Sequence, residues 1–373
     1  MSFYKFNKIL DHKDLLIKDK NYRKLKHVRI EPTEVCNFQC RFCVTQDPIR
    51  KKKMINQGYD SGNRKLEFNR FLNLLDELKE VGVEAISFTA VGDPLIYPKI
   101  EKIFQKAIDL KFKLGLTSNF AMKINEDLLN TLSHFSWLRW SMNGGSKNTY
   151  LNTNRPKGNY GKNAYEEVEY NIKRIKKKIL SNKTSAKLNA SYVISEWNLN
   201  DTENAAEFGK KLNIDSIFFR PDMELFNERN NNLKKILSKN NDIISKAKKH
   251  ETSNFKVFIE YDREKDSLEV DDPNLKCFYS NHSIYIAANG DVYPCCYTRM
   301  WKKYAIKNIN EISFNDFWKS NLAEENYKKL NVNQCPTCPY IEVNKALEGL
   351  YLNKKIYYPK NEKKIKNSED PFI

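Results

Sequence analysis

Between residues 27 and 221 the chain alternates six short β-like runs with amphipathic helical stretches, and few folds accept that order. The runs are HVRIE (27–31), EAISFTA (84–90), FKLGLT (112–117), WLRWSM (137–142), AKLNASYVI (186–194) and DSIFFRP (215–221). The periodicity predicts helices near 67–81, 99–111, 125–135, 162–180 and 202–213. In the first, Phe68, Phe71, Leu72, Leu75, Leu78 and Val81 share one face, and Gly82 stops the helix. In the long basic one, Tyr165, Val168, Ile172, Ile175 and Ile179 do the same. Strand–helix alternation of this kind makes parallel βαβ units, and the expected fold is α/β, an open (β/α)6 partial TIM barrel. Such folds bind ligands at the C-terminal ends of their strands, so chemically active residues are expected there.

The first run leads into EPTEVCNFQCRFCVTQ, which holds Cys36, Cys40 and Cys43. Three thiolates can bind three irons of a four-iron cluster; with no fourth cysteine nearby, one iron stays open to another ligand. Zinc normally takes four ligands in paired C-x2-C or C/H units, which this x3-then-x2 spacing suits poorly. A disulfide framework is not expected in 373 residues without a secretory signal. The start, MSFYKFNKILDHKD, lacks the apolar stretch of a signal peptide, and no apolar run approaches the roughly 20 residues of a bilayer span. The expected setting is the cytoplasm, with no membrane partner.

The formal net charge of +17 would suit an anionic partner. The basic residues are scattered, as in KRIKKKILSNK and PKNEKKIKN, and lack interleaved aromatics. A solvated Lys- and Asn-rich surface is the simpler reading, and a nucleic-acid partner is not expected.

With Phe42 before its third cysteine, the CxxxCxφC run resembles the signature of radical S-adenosylmethionine (SAM) enzymes. The resemblance implies a 4Fe-4S cluster on Cys36, Cys40 and Cys43 whose open iron is chelated by SAM, and an external one-electron reductant of the flavodoxin or ferredoxin type. AVGDPL, after the second run, resembles the family's GGEP motif, which receives the SAM amino group; Val91 replaces its first Gly and Asp93 its Glu. Gly92 would let backbone approach the ligand, and Pro94 would stiffen the turn. Ser118 and Asn119 after the third run, and Ser141 and Asn143 after the fourth, resemble the family's polar contacts to SAM. Arg155 stands where related enzymes place a carboxylate-binding arginine. Read without the resemblance, each is equally a capping or turn residue.

Five further cysteines follow: Cys277, Cys295, Cys296, Cys335 and Cys338. By themselves they suit a zinc ribbon as well as a cluster. Beside the first motif, the C-x12-G-x4-C spacing and the NGD turn of IAANGDVYPCCY resemble the opening of the SPASM or twitch domain, an auxiliary-cluster extension. The chain keeps the following C-x2-C as CPTC, has Asn344 where the next cysteine of that pattern falls, and has no cysteine after it. The resemblance therefore implies one auxiliary 4Fe-4S cluster on Cys277, Cys295, Cys335 and Cys338. Cys296 is left as a small buried residue, a substitute ligand for Cys295, or a hydrogen-atom donor.

The expected layout is an N-terminal arm (1–25), the barrel core (26–225), a polar bridging helix and linker (226–272), the auxiliary β-hairpin/helix cluster domain (273–345) and a basic tail (346–373). The resemblance implies hydrogen abstraction by a 5′-deoxyadenosyl radical. The leading expectation is oxidation (dehydrogenation) of a sugar-like or other small polar metabolite, with the auxiliary cluster as electron acceptor. A peptide substrate, matured by thioether formation, epimerisation or crosslinking, is the first alternative; Cys36 comes early for the leader-binding domain that many such relatives carry. A non-enzymatic zinc-binding scaffold is the second.

Overall fold

A computed structural model of the chain describes residues 25–60, 62–89, 91–161, 163–222, 241–259, 274–299, 301–320, 330–335, 338 and 340–351. The expected N-terminal arm and basic tail lie almost wholly outside these residues. In chain order the first elements are β1 (His27–Ile30), α1 (Pro48–Asn56), α2 (Phe68–Glu80), β2 (Ala85–Phe88), α3 (Ile100–Asp109), β3 (Lys113–Ser118), α4 (Glu126–Leu132), β4 (Trp137–Ser141) and α5 (Lys147–Asn154). There follow α6 (Ala164–Ser181), β5 (Lys187–Ile194), α7 (Thr202–Lys211), β6 (Ser216–Pro221), α8 (Asn241–Lys248), β7 (Lys256–Ile259), β8 (Ser283–Ile286), β9 (Asp291–Tyr293), β10 (Lys307–Asn308), α9 (Phe314–Lys319) and α10 (Ile341–Tyr351). All six predicted strands and all five predicted helices are present, and the chain is α/β with a largely parallel sheet.

The chain divides into two compact units. One comprises Glu31–Lys65 and Phe88–Tyr261 and carries the parallel order β3-β4-β5-β6-β7. Strand alternation gives this sheet two unlike faces. Leu116, Leu138 and Leu188 form one fully buried row and Trp140, Ala190 and Ile217 the next. This face packs on helices: the Trp140 ring meets Phe208 of α7 edge-on at 5.9 Å. The other face is polar. Thr117, Arg139, Asn189 and Ser216 are register partners in one row, Ser141, Ser191 and Phe218 in the next, and Val193 and Arg220 in the one beyond. A closed (β/α)8 barrel fills that face with branched apolar side chains; here it stays partly accessible.

The other unit comprises Met1–Ile30, Leu66–Ser87 and Asp262–Ile373, and its strands run in the order β10-β9-β8-β1-β2. β8 and β9 are the expected hairpin, with Gly290 at φ +87 in its turn. β8 also pairs parallel to β1 from His27↔Ser283 to Ile30↔Ile286, joining two segments more than 250 residues apart in sequence. No helix among the described residues is long and apolar enough to cross a membrane.

α1, α5 and β7 were not anticipated, and Arg155, expected in a loop, is the C-cap of α5. α1 buries only Met54, so apolar spacing does not announce it; Asp47 starts it by accepting the N–H groups of Ile49 and Arg50, with Pro48 at the first position. β7 is four residues in the polar stretch expected to be a bridging helix and linker, and it takes strand form by pairing with β6 from Ser216↔Lys256 to Phe219↔Ile259.

Candidate cluster and cofactor sites

The loop after β1 carries Cys36, Cys40 and Cys43, all half-buried. The Cys43 N–H donates to the Cys40 carbonyl at 2.9 Å, and the Phe38 N–H points at Cys36 Sγ at 3.4 Å. Cys40 Sγ lies 3.5 Å from Asn154 Oδ1; Cys43 Sγ lies 3.2 Å from Thr45 Oγ1, whose hydroxyl donates to the Val91 carbonyl. Burial pushes the Cys36 and Cys40 thiols well above their ordinary pKa, and nearby negative charge adds to it, chiefly Asp93 for Cys36 and Cys43 for Cys40. A bound cation would favour the thiolate form of Cys36 and Cys40 against this burial.

Four side chains, Arg155, Lys157, Arg50 and Trp197, stitch the loop. Arg155, with φ +44 at the C-cap of α5, forms an ion pair with Asp47 and donates from Nε to the Gln39 carbonyl at 2.7 Å. Lys157 Nζ donates to the Cys36 carbonyl and to Gln46 Oε1. Arg50 donates to the Phe42 carbonyl at 3.1 Å and grips Asp222 with both terminal nitrogens, at 3.0 and 2.6 Å. The half-buried Trp197 lies under the guanidinium groups of Arg41 and Arg50.

Gly92, Asp93, Pro94, Ser118 and Asn119 come together beside this loop. A Cβ on Gly92 would stand 2.0 Å from the Val35 carbonyl oxygen, so the close approach requires glycine. The buried Asp93 carboxylate accepts from the Ser118 hydroxyl (2.9 and 3.0 Å), the Asn119 N–H (2.7 Å) and the Leu95 N–H (3.0 Å). Burial raises its pKa, and these hydrogen bonds oppose the rise. Pro94 opens a buried 3-10 turn. Asn119 Nδ2 donates to Asn37 Oδ1 at 2.8 Å, linking the Asp93 cluster to the cysteine loop through a residue that the sequence reading passed over. Ser141 ends β4 on the polar sheet face. Asn143, at φ +51, has its amide engaged: Oδ1 accepts from the Val193 N–H, and Nδ2 donates to Asn154 Oδ1. Asn154, beside Cys40, was also passed over, since a helix-terminal Asn in TNRP carries no signal beyond capping.

The second site lies within the other unit. Cys277, Cys295, Cys335 and Cys338 line one cavity, together with Val332 and Tyr340. Burial pushes all four thiols up, and mutual charge adds to this for Cys295, Cys335 and Cys338. Four thiols around one cavity can bind the four irons of a cluster, one thiolate to each. The Tyr297 N–H points at Cys295 Sγ at 3.4 Å. Asn344, in the place of a pattern cysteine, directs Nδ2 at Cys338 Sγ (3.9 Å) and accepts the Tyr279 N–H at 2.8 Å. Cys296 is not in the cavity wall. Its Sγ meets Arg29 Nη1 at 3.2 Å and the Tyr340 hydroxyl at 4.0 Å, and Tyr340 stacks on Tyr279 at 3.9 Å.

Two family models match the chain: the radical SAM superfamily over residues 30–209 and SPASM, an iron–sulfur cluster-binding domain, over residues 277–339. A GTP 3′,8-cyclase of Clostridium botulinum is 22 % identical over 330 residues, covering 83 % of this chain and 96 % of the relative. Among solved structures, Streptococcus suis SuiB bound to S-adenosylmethionine is similar in fold with a TM-score of 0.57 at 16 % identity, covering 86 % of this chain and 71 % of that one. AnSMEcpe with bound AdoMet gives 0.51 at 15 % identity, covering 81 % and 82 %. With both cysteine sites inside the matched ranges, the chain belongs to the radical SAM superfamily and carries a SPASM domain, and its cofactors are a SAM-binding 4Fe-4S cluster, SAM and an auxiliary iron–sulfur cluster.

Proposed function

We propose that this radical SAM enzyme dehydrogenates a small polar, sugar-like metabolite. The observation that carries the reading is the polar, partly accessible sheet face on which Arg139, Asn189, Ser141, Ser191 and Arg220 share adjoining rows. Hydroxyl, amide and guanidinium groups there can hydrogen-bond the hydroxyl groups of a polyol. Arg139 is oriented by the Trp137 and Phe218 rings, with its Cζ 5.2 and 5.6 Å from their centroids.

In this reading Cys36, Cys40 and Cys43 hold the first cluster, and Cys277, Cys295, Cys335 and Cys338 the auxiliary one. When bound, these groups and SAM supply a 5′-deoxyadenosyl radical and a one-electron acceptor. Gly92, Asp93, Pro94, Ser118, Asn119 and Ser141 shape the SAM pocket and Phe42 flanks it; Asn143 and Arg155 act through the loops they brace. Removing a hydrogen atom, a proton and an electron from a secondary alcohol leaves a ketone.

The test is anaerobic turnover of a polyol and aminocyclitol panel with SAM and reductant, scoring ketone formed per 5′-deoxyadenosine. A Cys335→Ala/Cys338→Ala variant whose first cluster is intact by spectroscopy is expected to keep 5′-deoxyadenosine formation and lose ketone. An unchanged ratio in that variant would overturn the acceptor role. A second reading, cyclisation of a nucleoside triphosphate, draws support from the cyclase relative matched over nearly its whole length. A cyclised nucleotide from GTP, with no ketone from any panel member, would establish it instead.

A further inference from the structure

α10 packs through an apolar face into the core around the auxiliary cavity, where Ile341, Val343 and Leu347 join Leu275, Tyr279, Cys295 and Cys338. Asn344 falls on the same face by its spacing from Tyr340 and Leu347, and it is fully buried. Its N–H donates to the Tyr340 carbonyl at 2.8 Å, its Oδ1 accepts the Tyr279 N–H at 2.8 Å, and its Nδ2 points at Cys338 Sγ at 3.9 Å. A buried amide destabilises a core unless bonds of this kind satisfy it. The Tyr279 N–H also fixes which end of the amide faces the sulfur, because exchanging Oδ1 and Nδ2 would set two donors against each other. Asn344 therefore offers Cys338 a donor. Where the SPASM pattern places a further cysteine, this chain places that amide.

We propose that Asn344 sets the reduction potential of the auxiliary cluster by donating from Nδ2 to the sulfur of Cys338. The proposal rests on Cys338 being a ligand of that cluster. A thiolate sulfur gains negative charge when its cluster takes up an electron. A donor aimed at that sulfur therefore stabilises the reduced form more than the oxidised one and raises the potential. Burial strengthens the effect, since Cys338 is 9 % exposed and water competes little for its sulfur. The Tyr297 N–H acts on Cys295 Sγ in the same sense, but it is a backbone donor that any side chain at 297 would leave in place. The Asn344 donor belongs to a side chain, so substitution can remove it. In the proposed dehydrogenation the auxiliary cluster takes one electron from the substrate radical, and a raised potential favours that transfer.

The test is redox titration of the reconstituted holoenzyme followed by electron paramagnetic resonance, with the auxiliary cluster identified as the signal that SAM leaves unchanged. Asn344→Leu removes the donor without adding charge. Asn344→Asp also removes it but keeps an acceptor for the Tyr279 N–H, which covers the case of a Leu variant that does not fold. Poised at the wild-type midpoint, each variant with its iron intact is expected to show a reduced-to-oxidised ratio at least about threefold lower. An unchanged ratio in either variant overturns the proposal. A fall in Asn344→Asp with none in Asn344→Leu does so too, because added charge alone would then explain it. A Cys338→Ala variant that keeps its full auxiliary iron would instead remove the ligand assignment, and the proposal with it.

Discussion

Gly92 shows how one missing carbon can decide a site. The atoms that an added Cβ would strike, the carbonyl groups of Val35 and Glu34, are backbone and cannot swing aside. Gly92→Ala is expected to destabilise the protein by about 1–3 kcal/mol and to weaken SAM binding. Thermal unfolding with and without SAM checks this; equal midpoints for variant and wild type would show that the loop gives way. The sequence singled out Gly92, Asp93, Ser118 and Asn119 one at a time. It did not show that the Asp93 carboxylate takes its hydrogen bonds from Ser118 and Asn119, because residues 25 positions apart meet only when β3 lies beside the turn after β2. Nor did it single out Asn37 or Asn154, polar residues whose value comes wholly from their partners across the loop.

At the scale of elements, legibility followed burial. α2 and α6 present apolar residues at helical spacing because one face of each enters a core: Phe71, Leu74, Leu75 and Leu78 in α2, and Val168, Ile172, Ile175 and Ile179 in α6. α1 buries one side chain and is held instead by its cap and by Arg50. The Arg50–Asp222 pair ties α1 to the residue after β6, with the two side chains 11 % and 3 % exposed. Breaking a buried pair leaves a charge uncompensated, so Asp222→Asn is expected to cost about 3–5 kcal/mol in denaturant unfolding. The same variant should lose iron from the first site faster under chelator, since Arg50 also holds the Phe42 carbonyl. A loss below about 1 kcal/mol would mean that the pair is solvated in solution and contributes as a surface bridge does.

For the whole molecule the two cysteine groups make a direct prediction. Anaerobic reconstitution should give about eight irons and eight sulfides per chain, and the Cys36→Ala/Cys40→Ala/Cys43→Ala variant about four of each, with no 5′-deoxyadenosine formed. A full iron count in that variant would remove the first cluster from this loop. Local chemistry, a spacing of thiols and an alternation of apolar residues, was enough by itself to point to the family, to put six strands and five of the helices in order, and to propose the cluster cysteines with Cys296 left as a substitute for Cys295, because each is a property of neighbours in sequence. Three things waited for the tertiary structure. Cys295 rather than Cys296 faces the auxiliary cavity, since the turn after β9 sends adjacent side chains to opposite sides and delivers Cys296 to Arg29. The polar sheet face exists only when register aligns Arg139 with Asn189 and Ser141 with Ser191, and a slip of one residue would bury it. Ile49, Lys52 and Lys53 of α1 lie exposed because the fold turns them outward, and exposure belongs to the folded chain, not to the residue.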